Sequence, residues 1–452
     1  MNKIPRSKPL VVGGAIIGIV GLLTGCAPPG TGGSDTTTQF SAIDAPVTVD
    51  DVAELGDVTL KVWADSGEKA TLEDYVPAFE KKYPNVTVEV TLKSFDDLVK
   101  TVVNAMDSKD APDLAQGNQG YAVDGTLVKA KLIRPLDDVA KAYGWEEIYS
   151  PYSLNQFRWL DDGTKWGEGT LYGNSPVTQY VGVFENKSLL EQANVPIPVS
   201  FDEMEESLPK IKAAGITPIV FGNSDKQPAM HLFGSLAGRC QSADVVNDWV
   251  AGAEGATFVN ECNTQAAQTI VDWVKAGYVS DGFNGVSMDD AANRFAQGDG
   301  AYYIGGDWLL PQISAVGGNF GFTTLTGDNG KRVSTGSSSV GWHISSKSEV
   351  TPAAIAFLGG IHDPSYSQKL ADQNRVPMAD ASATSSDQLM AEDIAASALL
   401  LGDNGQTAYL DWATDTMYDV FGSGLQELMA EKITPEQFVE IVQADWEAFQ
   451  AE

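Results

Sequence analysis

An α/β fold with largely parallel strand pairing is predicted by two features of this sequence. Short alternating apolar runs are separated by segments of helical period, and the strand–helix–strand spacing implies right-handed crossovers. The roughly 400 residues of folded chain also exceed one ordinary core, so two or more domains are expected. In chain order, Val58, Leu60 and Val62 alternate with Thr59, Lys61 and Trp63 as a first strand. Thr71 opens a helix on Leu72, Tyr75, Val76 and Phe79 that ends at Tyr83-Pro84, with Pro77 predicting a kink or a late first turn. Val86, Val88 and Val90 form a second strand, Phe95, Leu98, Val102 and Met106 a second helix, and Pro112-Asp113-Leu114 starts a third strand.

The same grammar continues downstream. Ser200 and Glu203 make a capping box before Met204, Leu208 and Ile211, and Ile216 to Phe221 reads as a buried strand. Thr351-Pro352 places a cap and an N1 proline before Ile355 to Leu358, with Gly359-Gly360 as the expected stop. Thr434-Pro435-Glu436-Gln437 repeats the start signal before Phe438, Val442 and Trp446. No internal repeat is present.

The N-terminus carries its own message. Lys3, Arg6 and Lys8 precede the uncharged run Leu10 to Leu23, 14 residues long, which is short of the about 20 that span a membrane. A basic start, a short apolar run and small residues before a cut site predict a secretory signal over 1–25. Leu23-Thr24-Gly25-Cys26 resembles the bacterial lipobox, which implies cleavage before Cys26 and lipidation, including palmitoylation, of that cysteine. The Pro, Gly, Ser and Thr content from Ala27 to about Asp50 predicts a flexible tether within 26–56, its ends roughly 30 Å apart.

Composition narrows the partners. The whole chain has a formal net charge of −32; removing three basic residues with the signal leaves 26 Lys+Arg against 61 Asp+Glu, a net −35. That surface repels polyphosphate and anionic headgroups, which argues against nucleic acid and against charge-driven membrane attachment, leaving the lipid as the only anchor. Cys240 and Cys262 are either a disulfide permitted by export or two free thiols; a bridge closing about 22 residues is worth roughly 3 kcal/mol. Three histidines, His231, His343 and His362, lie far apart, so no metal or Cys–His spacing is present. No phosphate-binding loop, Gly-x-Ser-x-Gly elbow or His-Glu-x-x-His motif occurs, and no cofactor or enzymatic activity is expected.

An ordered set of segments carries a resemblance. It runs from Leu60-Lys61-Val62-Trp63 and Phe79-Glu80-Lys81-Lys82-Tyr83-Pro84 through Ala111-Pro112-Asp113-Leu114 and Leu171-Tyr172-Gly173 to Ala214-Gly215-Ile216-Thr217-Pro218. Phe295-Ala296-Gln297-Gly298-Asp299-Gly300, Gly305-Gly306-Asp307-Trp308 and Ile433-Thr434-Pro435-Glu436 complete it. Over residues 57 to 450 the chain resembles the family 1 extracellular solute-binding proteins, the maltose-binding-protein-like receptors of ABC sugar importers.

The resemblance implies a two-lobed, type II Venus-flytrap fold with three hinge crossings, each lobe a mostly parallel sheet flanked by helices. Lobe I would comprise 57–177 and 338–377, and lobe II 178–337 and 378–452. A sugar or oligosaccharide would bind between the lobes, at the carboxyl ends of the strands, and pass to a membrane permease; a monomer is expected. Ligand contacts need rings for C–H faces and side chains that donate and accept for hydroxyls. Trp63 and Asp65 end the first strand, although Trp63 could equally cover a helix. Gln116, Asn118 and Gln119 follow the third strand, and Asn223 and Asp225 follow a lobe II strand. Trp308 matches the family's stacking tryptophan and is the foremost aromatic candidate, with Asp307 beside it as hydroxyl acceptor. Tyr180 and Ser337 sit at hinge crossings, and Trp342, Arg375, Trp412 and Tyr418 either meet ligand or pack between elements. His231 reads as a packed helix residue. The alternatives are an exported glycoside hydrolase and a receptor for another polar solute.

Overall fold

The computed structural model describes residues 40–379 and 383–451. The signal segment 1–25, Cys26 and the tether up to residue 39 lie outside the described residues, as does the side chain of Ser337. Among the described residues thirteen strands occur: β1 Val58–Asp65, β2 Val86–Lys93, β3 Leu114–Gln116, β4 Arg158–Trp159, β5 Thr170–Leu171, β6 Val177–Asn186, β7 Thr217–Ile219, β8 Gly300–Gly306, β9 Phe320–Thr323, β10 Ser334–Ser338, β11 Trp342–Ile344, β12 Val376–Pro377 and β13 Gln406–Thr407.

They make two large sheets, one per lobe. The first has the order β11-β3-β1-β2, with β1 parallel to both β2 and β3 and only β11 antiparallel. Its core holds Leu60, Val62, Phe79, Trp342 and Phe357, each large apolar side chain contributing about 2–3 kcal/mol by leaving water. The second sheet runs β13-β10-β6-β8-β7, with β9 and β12 also on β6. Here the expectation of mostly parallel pairing is corrected: β6 is antiparallel to β8, β9, β10 and β12, and only β7–β8 and β10–β13 are parallel. The ten-residue β6 is long enough to serve as the common partner of four strands, so the chain returns along it instead of crossing over. Near Thr178 the segments β6, β10 and β12 lie side by side, Thr178 opposite both Ser338 and Val376.

Local signals fared differently from one another. The helix Lys69–Lys82 contains Pro77, and Pro435–Gln450 begins with the full Thr434/Gln437 capping box. The helix Thr351–Ile361 runs through Gly359-Gly360 instead of stopping there. These glycines answer to packing: a Cβ on Gly359 would collide with the Tyr143 ring and one on Gly360 with the Tyr75 hydroxyl. Residues 40–56, expected as the end of a flexible tether, are docked on the first lobe. Ile43 N–H donates to Asp138 (2.9 Å), Val47 N–H to Tyr143 (3.1 Å), and Val52 is buried on the capped helix Val49–Ala53. Apolar Ile43, Val47 and Val52 supply the burial that a Pro/Gly-rich average conceals.

A third feature positions the site. The second lobe's core continues into Tyr121, Trp159 and Trp166 of the first-lobe side, with Trp166 edge-on to Trp412 (5.7 Å) and Tyr121 to Phe449 (4.8 Å). The lobes therefore touch along one side and leave a gap along the other. Cys240 and Cys262 are joined in a disulfide that ties the end of helix Gln227–Ala237 to helix Glu261–Lys275. No helix among the described residues is long and apolar enough to cross a membrane.

Candidate functional site

Between the sheets lies a cavity of about 540 Å³, within the roughly 300–1,000 Å³ usual for small-molecule sites. Three groups of segments line it. The first lobe supplies the carboxyl end of β1 with the turn that follows, the start of helix Phe95–Asp107, and the loop after β3. The second supplies Trp308, Asp289, Gln227 and the stretch Tyr409–Trp412, while Gln179, Ser338, Ser339 and Arg375 come from the crossing segments.

The first-lobe wall is a hydrogen-bonded turn. Asp65 ends β1, donates its N–H to Gln116 Oε1 (2.8 Å) and accepts from Gly67 N–H (2.8 Å). Three residues on, buried Glu68 accepts from Arg375 Nη2 (2.8 Å) and from Gln116 Nε2 (3.3 Å), and Arg375 Nη1 also donates to Gly67 O (3.2 Å). One amide below and one guanidinium beside thus fix where Asp65 points. Desolvation lifts the Asp65 carboxyl to about 6. Gln119 donates to the carbonyls of Ser338 and Ser339 (3.2 and 2.9 Å), tying the loop after β3 to a crossing strand.

The second-lobe wall is aromatic. Trp308 follows β8 on a short turn, and its half-buried ring folds back over Gly306, where any Cβ would collide with the indole. His231 packs edge-on behind it at 5.2 Å; burial without a partner drives its pKa down to about 3, so it backs the ring as a neutral group. Tyr409 and Trp412 stand 5.0 Å apart, and between them Asp411 is buried, its carboxyl raised by desolvation to about 6. Asn118 joins the walls: its Oδ1 accepts from Trp412 Nε1 (3.2 Å) and its Nδ2 donates to Asp411 (3.4 Å).

The structure brings Asp65, Asn118, Gln119, Trp308, Arg375 and Trp412 to the cavity. Other candidates sit elsewhere, each for a definable reason. Gln116 lies beneath the lining as the support of Asp65. Asp307 is buried under Trp308, accepts Tyr180 N–H (3.2 Å), and burial raises its carboxyl far above the usual range. Tyr180 is buried and donates its hydroxyl to Asp393. Asn223 caps helix Gln227–Ala237 through Ala229 N–H (3.1 Å), and Asp225 accepts from Met288 N–H (2.6 Å). Trp63 carries Lys93 Nζ 4.3 Å over its ring, and Trp342 fills the first core. Tyr418 donates to Asp225 O (2.9 Å). The backbone of Ser337 pairs with Gln179 in the crossing.

Sequence reasoning missed Glu68, Gln179, Gln227, Asp289, Tyr409 and Asp411. Only the last two offered a signal, an aromatic–acidic–aromatic run Tyr409-Leu410-Asp411-Trp412 around a tryptophan already noted.

The model of the bacterial extracellular solute-binding protein family matches residues 63–359. An uncharacterized ABC transporter extracellular-binding protein of Pyrococcus horikoshii is 24% identical over 318 residues, 68% of this chain and 65% of that relative's length. A probable sugar-binding periplasmic protein of Rhizobium meliloti is 29% identical over 195 residues, 43% of this chain and 45% of that protein. The fold is shared with a chitin oligosaccharide binding protein at a TM-score of 0.75 and 22% identity, over 88% of this chain and 100% of the other.

Proposed function

Because this chain belongs to the bacterial extracellular solute-binding proteins, we propose that it is a carbohydrate receptor that closes its two lobes on a sugar or oligosaccharide and delivers it to an ABC transporter permease. The observation that carries this reading is the cleft itself: rings from one lobe face hydrogen-bonding turns from the other across about 540 Å³. Trp308 and Trp412 offer platforms for the apolar faces of a pyranose, and Asp65, Asn118 and Asp411 accept from its hydroxyls.

Closure needs a differential. A guest touching both walls favours the closed form only by the additional interaction energy it finds there, and moving from 1% to 99% closed takes about 5.5 kcal/mol. A few stacked rings and several net hydrogen bonds of about 1 kcal/mol each are of that size. The lobes of this reading comprise 57–177 with 338–377 and 178–337 with 378–452, hinged where β6, β10 and β12 run side by side. The chain acts outside the cytoplasm as a monomer, held to the membrane by lipid on Cys26.

A thermal-shift and calorimetric panel of mono- and oligosaccharides tests the reading, with chromatography of the guest afterwards. A bound sugar recovered intact supports it. A sugar returned cleaved, or no binding by any carbohydrate, overturns it. Incorporation of labelled palmitate into the native chain, lost in Cys26→Ser, tests the anchor.

A further inference from the structure

We propose that the carbohydrate taken by this cleft carries a protonated amine, an amino sugar in its cationic form, held by Asp65, Asp289 and Asp411 against the rings of Trp308 and Trp412. The inference rests on the carbohydrate-receptor reading above and adds the charge of the guest.

The lining holds five carboxylates, Asp65, Glu68, Glu73, Asp289 and Asp411, against two basic side chains, Lys69 and Arg375. Both bases are already engaged. Arg375 is buried on Glu68 at 2.8 Å, and Lys69 reaches Glu73 at 3.8 Å on the exposed rim. Asp65, Asp289 and Asp411 take part in none of the ion pairs among the described residues. They come from three separate elements, the end of β1, the start of helix Met288–Ala296 and the turn Leu410–Trp412, and all three line the one cavity.

Arg375 acts on Asp65 as well as on Glu68, but a neutral sugar adds no further positive charge as water is expelled, which is costly beside carboxylates in a low-dielectric gap. An ammonium on the sugar supplies the missing cation and three N–H donors. The aromatic wall serves the same end. Trp308 and Trp412 line the cavity, and indole faces attract cations within about 6 Å. Asp411 is the most buried of the three and sits beside Trp412, where it accepts from the Asn118 amide.

Calorimetry on the full chain at pH 6.5 compares glucosamine oligomers, their N-acetylated counterparts, neutral gluco-oligosaccharides of the same lengths, and spermidine. The expected result is at least a tenfold tighter Kd for an aminated sugar than for its acetylated and hydroxyl counterparts. Asp411→Asn and Asp65→Asn, checked for an unchanged fold by circular dichroism, should each lower the preference for the aminated over the neutral sugar, the ratio of their Kd values, at least threefold, and an unchanged ratio in both overturns the inference. Equal or tighter binding of neutral or acetylated sugars overturns the inference and leaves the carbohydrate reading standing. Binding of spermidine with no carbohydrate bound, or no binding by any sugar, overturns both.

Discussion

The two walls of the cleft are built on opposite plans. The first-lobe wall is polar and held from beneath: Asp65, Glu68, Gln116 and Arg375 bond to one another and to the backbone before any guest arrives. The second-lobe wall is made of rings on two short turns, supported by shape through Gly306 and neutral His231. The contrast assigns orientation to the one and adhesion to the other. Preorganised polar groups add specificity without further ordering cost, whereas broad apolar faces add affinity with little directional demand.

The strongest way to break this contrast is at Arg375. Arg375→Met leaves Glu68 buried and unpaired, and should cost about 3–5 kcal/mol in urea unfolding. A change under 1 kcal/mol would mean that the turn is not held by this pair. On the aromatic side, Trp308→Ala should weaken sugar binding by about 2 kcal/mol, roughly thirtyfold in Kd, while unfolding stability barely moves. A loss of stability comparable with that of Arg375→Met would show Trp308 to be a core residue.

Asn118, which touches both walls, sharpens the comparison at smaller scale. Asn118→Ala removes the partner of Trp412 Nε1 and of buried Asp411, about 1–2 kcal/mol that favours contact between the lobes. Ligand-free protein of this variant should show a larger radius of gyration by small-angle scattering; an unchanged radius would remove the latch role.

The smallest effect is a pH dependence from buried acids of the second lobe. Burial raises Asp393 to about 7 and Glu185 to about 8, and holds Asp307 well above the usual carboxylate range. A raised folded-state carboxyl binds more protons than the unfolded chain, so its stabilisation is lost as pH rises through the folded value. Melting temperature should therefore fall by roughly 1–3 °C between pH 6.5 and 8. His231 and His362, buried neutral with pKa lowered to about 3, act oppositely below about 6.5, where the unfolded chain protonates them. A melting temperature that climbs from 6.5 to 8 would contradict the upper limb.

The difference between the walls also explains what could be read in advance. The alternation of β1 and the helix period after it announced the parallel sheet, and Asp65, at the strand's end, was legible as a ligand candidate. Trp308 stood out through the resemblance, which matches it to the family's stacking tryptophan. Depth was not legible. β3 and β8 are buried along their whole length, so Gln116 and Asp307 offered no alternation to tell lining from support. Asn223 and Asp225 chose backbone partners on neighbouring helices, which depends on tertiary approach. Tyr409 and Asp411 come to line one cavity with Trp308 only through folding of about a hundred intervening residues, a juxtaposition that no local pattern encodes.

Trp412 has an optical consequence. Its indole nitrogen is clasped by Asn118 and its ring abuts Trp166 where the lobes touch, so parting the halves would pull a sheltered chromophore into water. Emission should then redden on opening and turn blue on capture, giving the protein a built-in signal of its own closure that needs no attached dye.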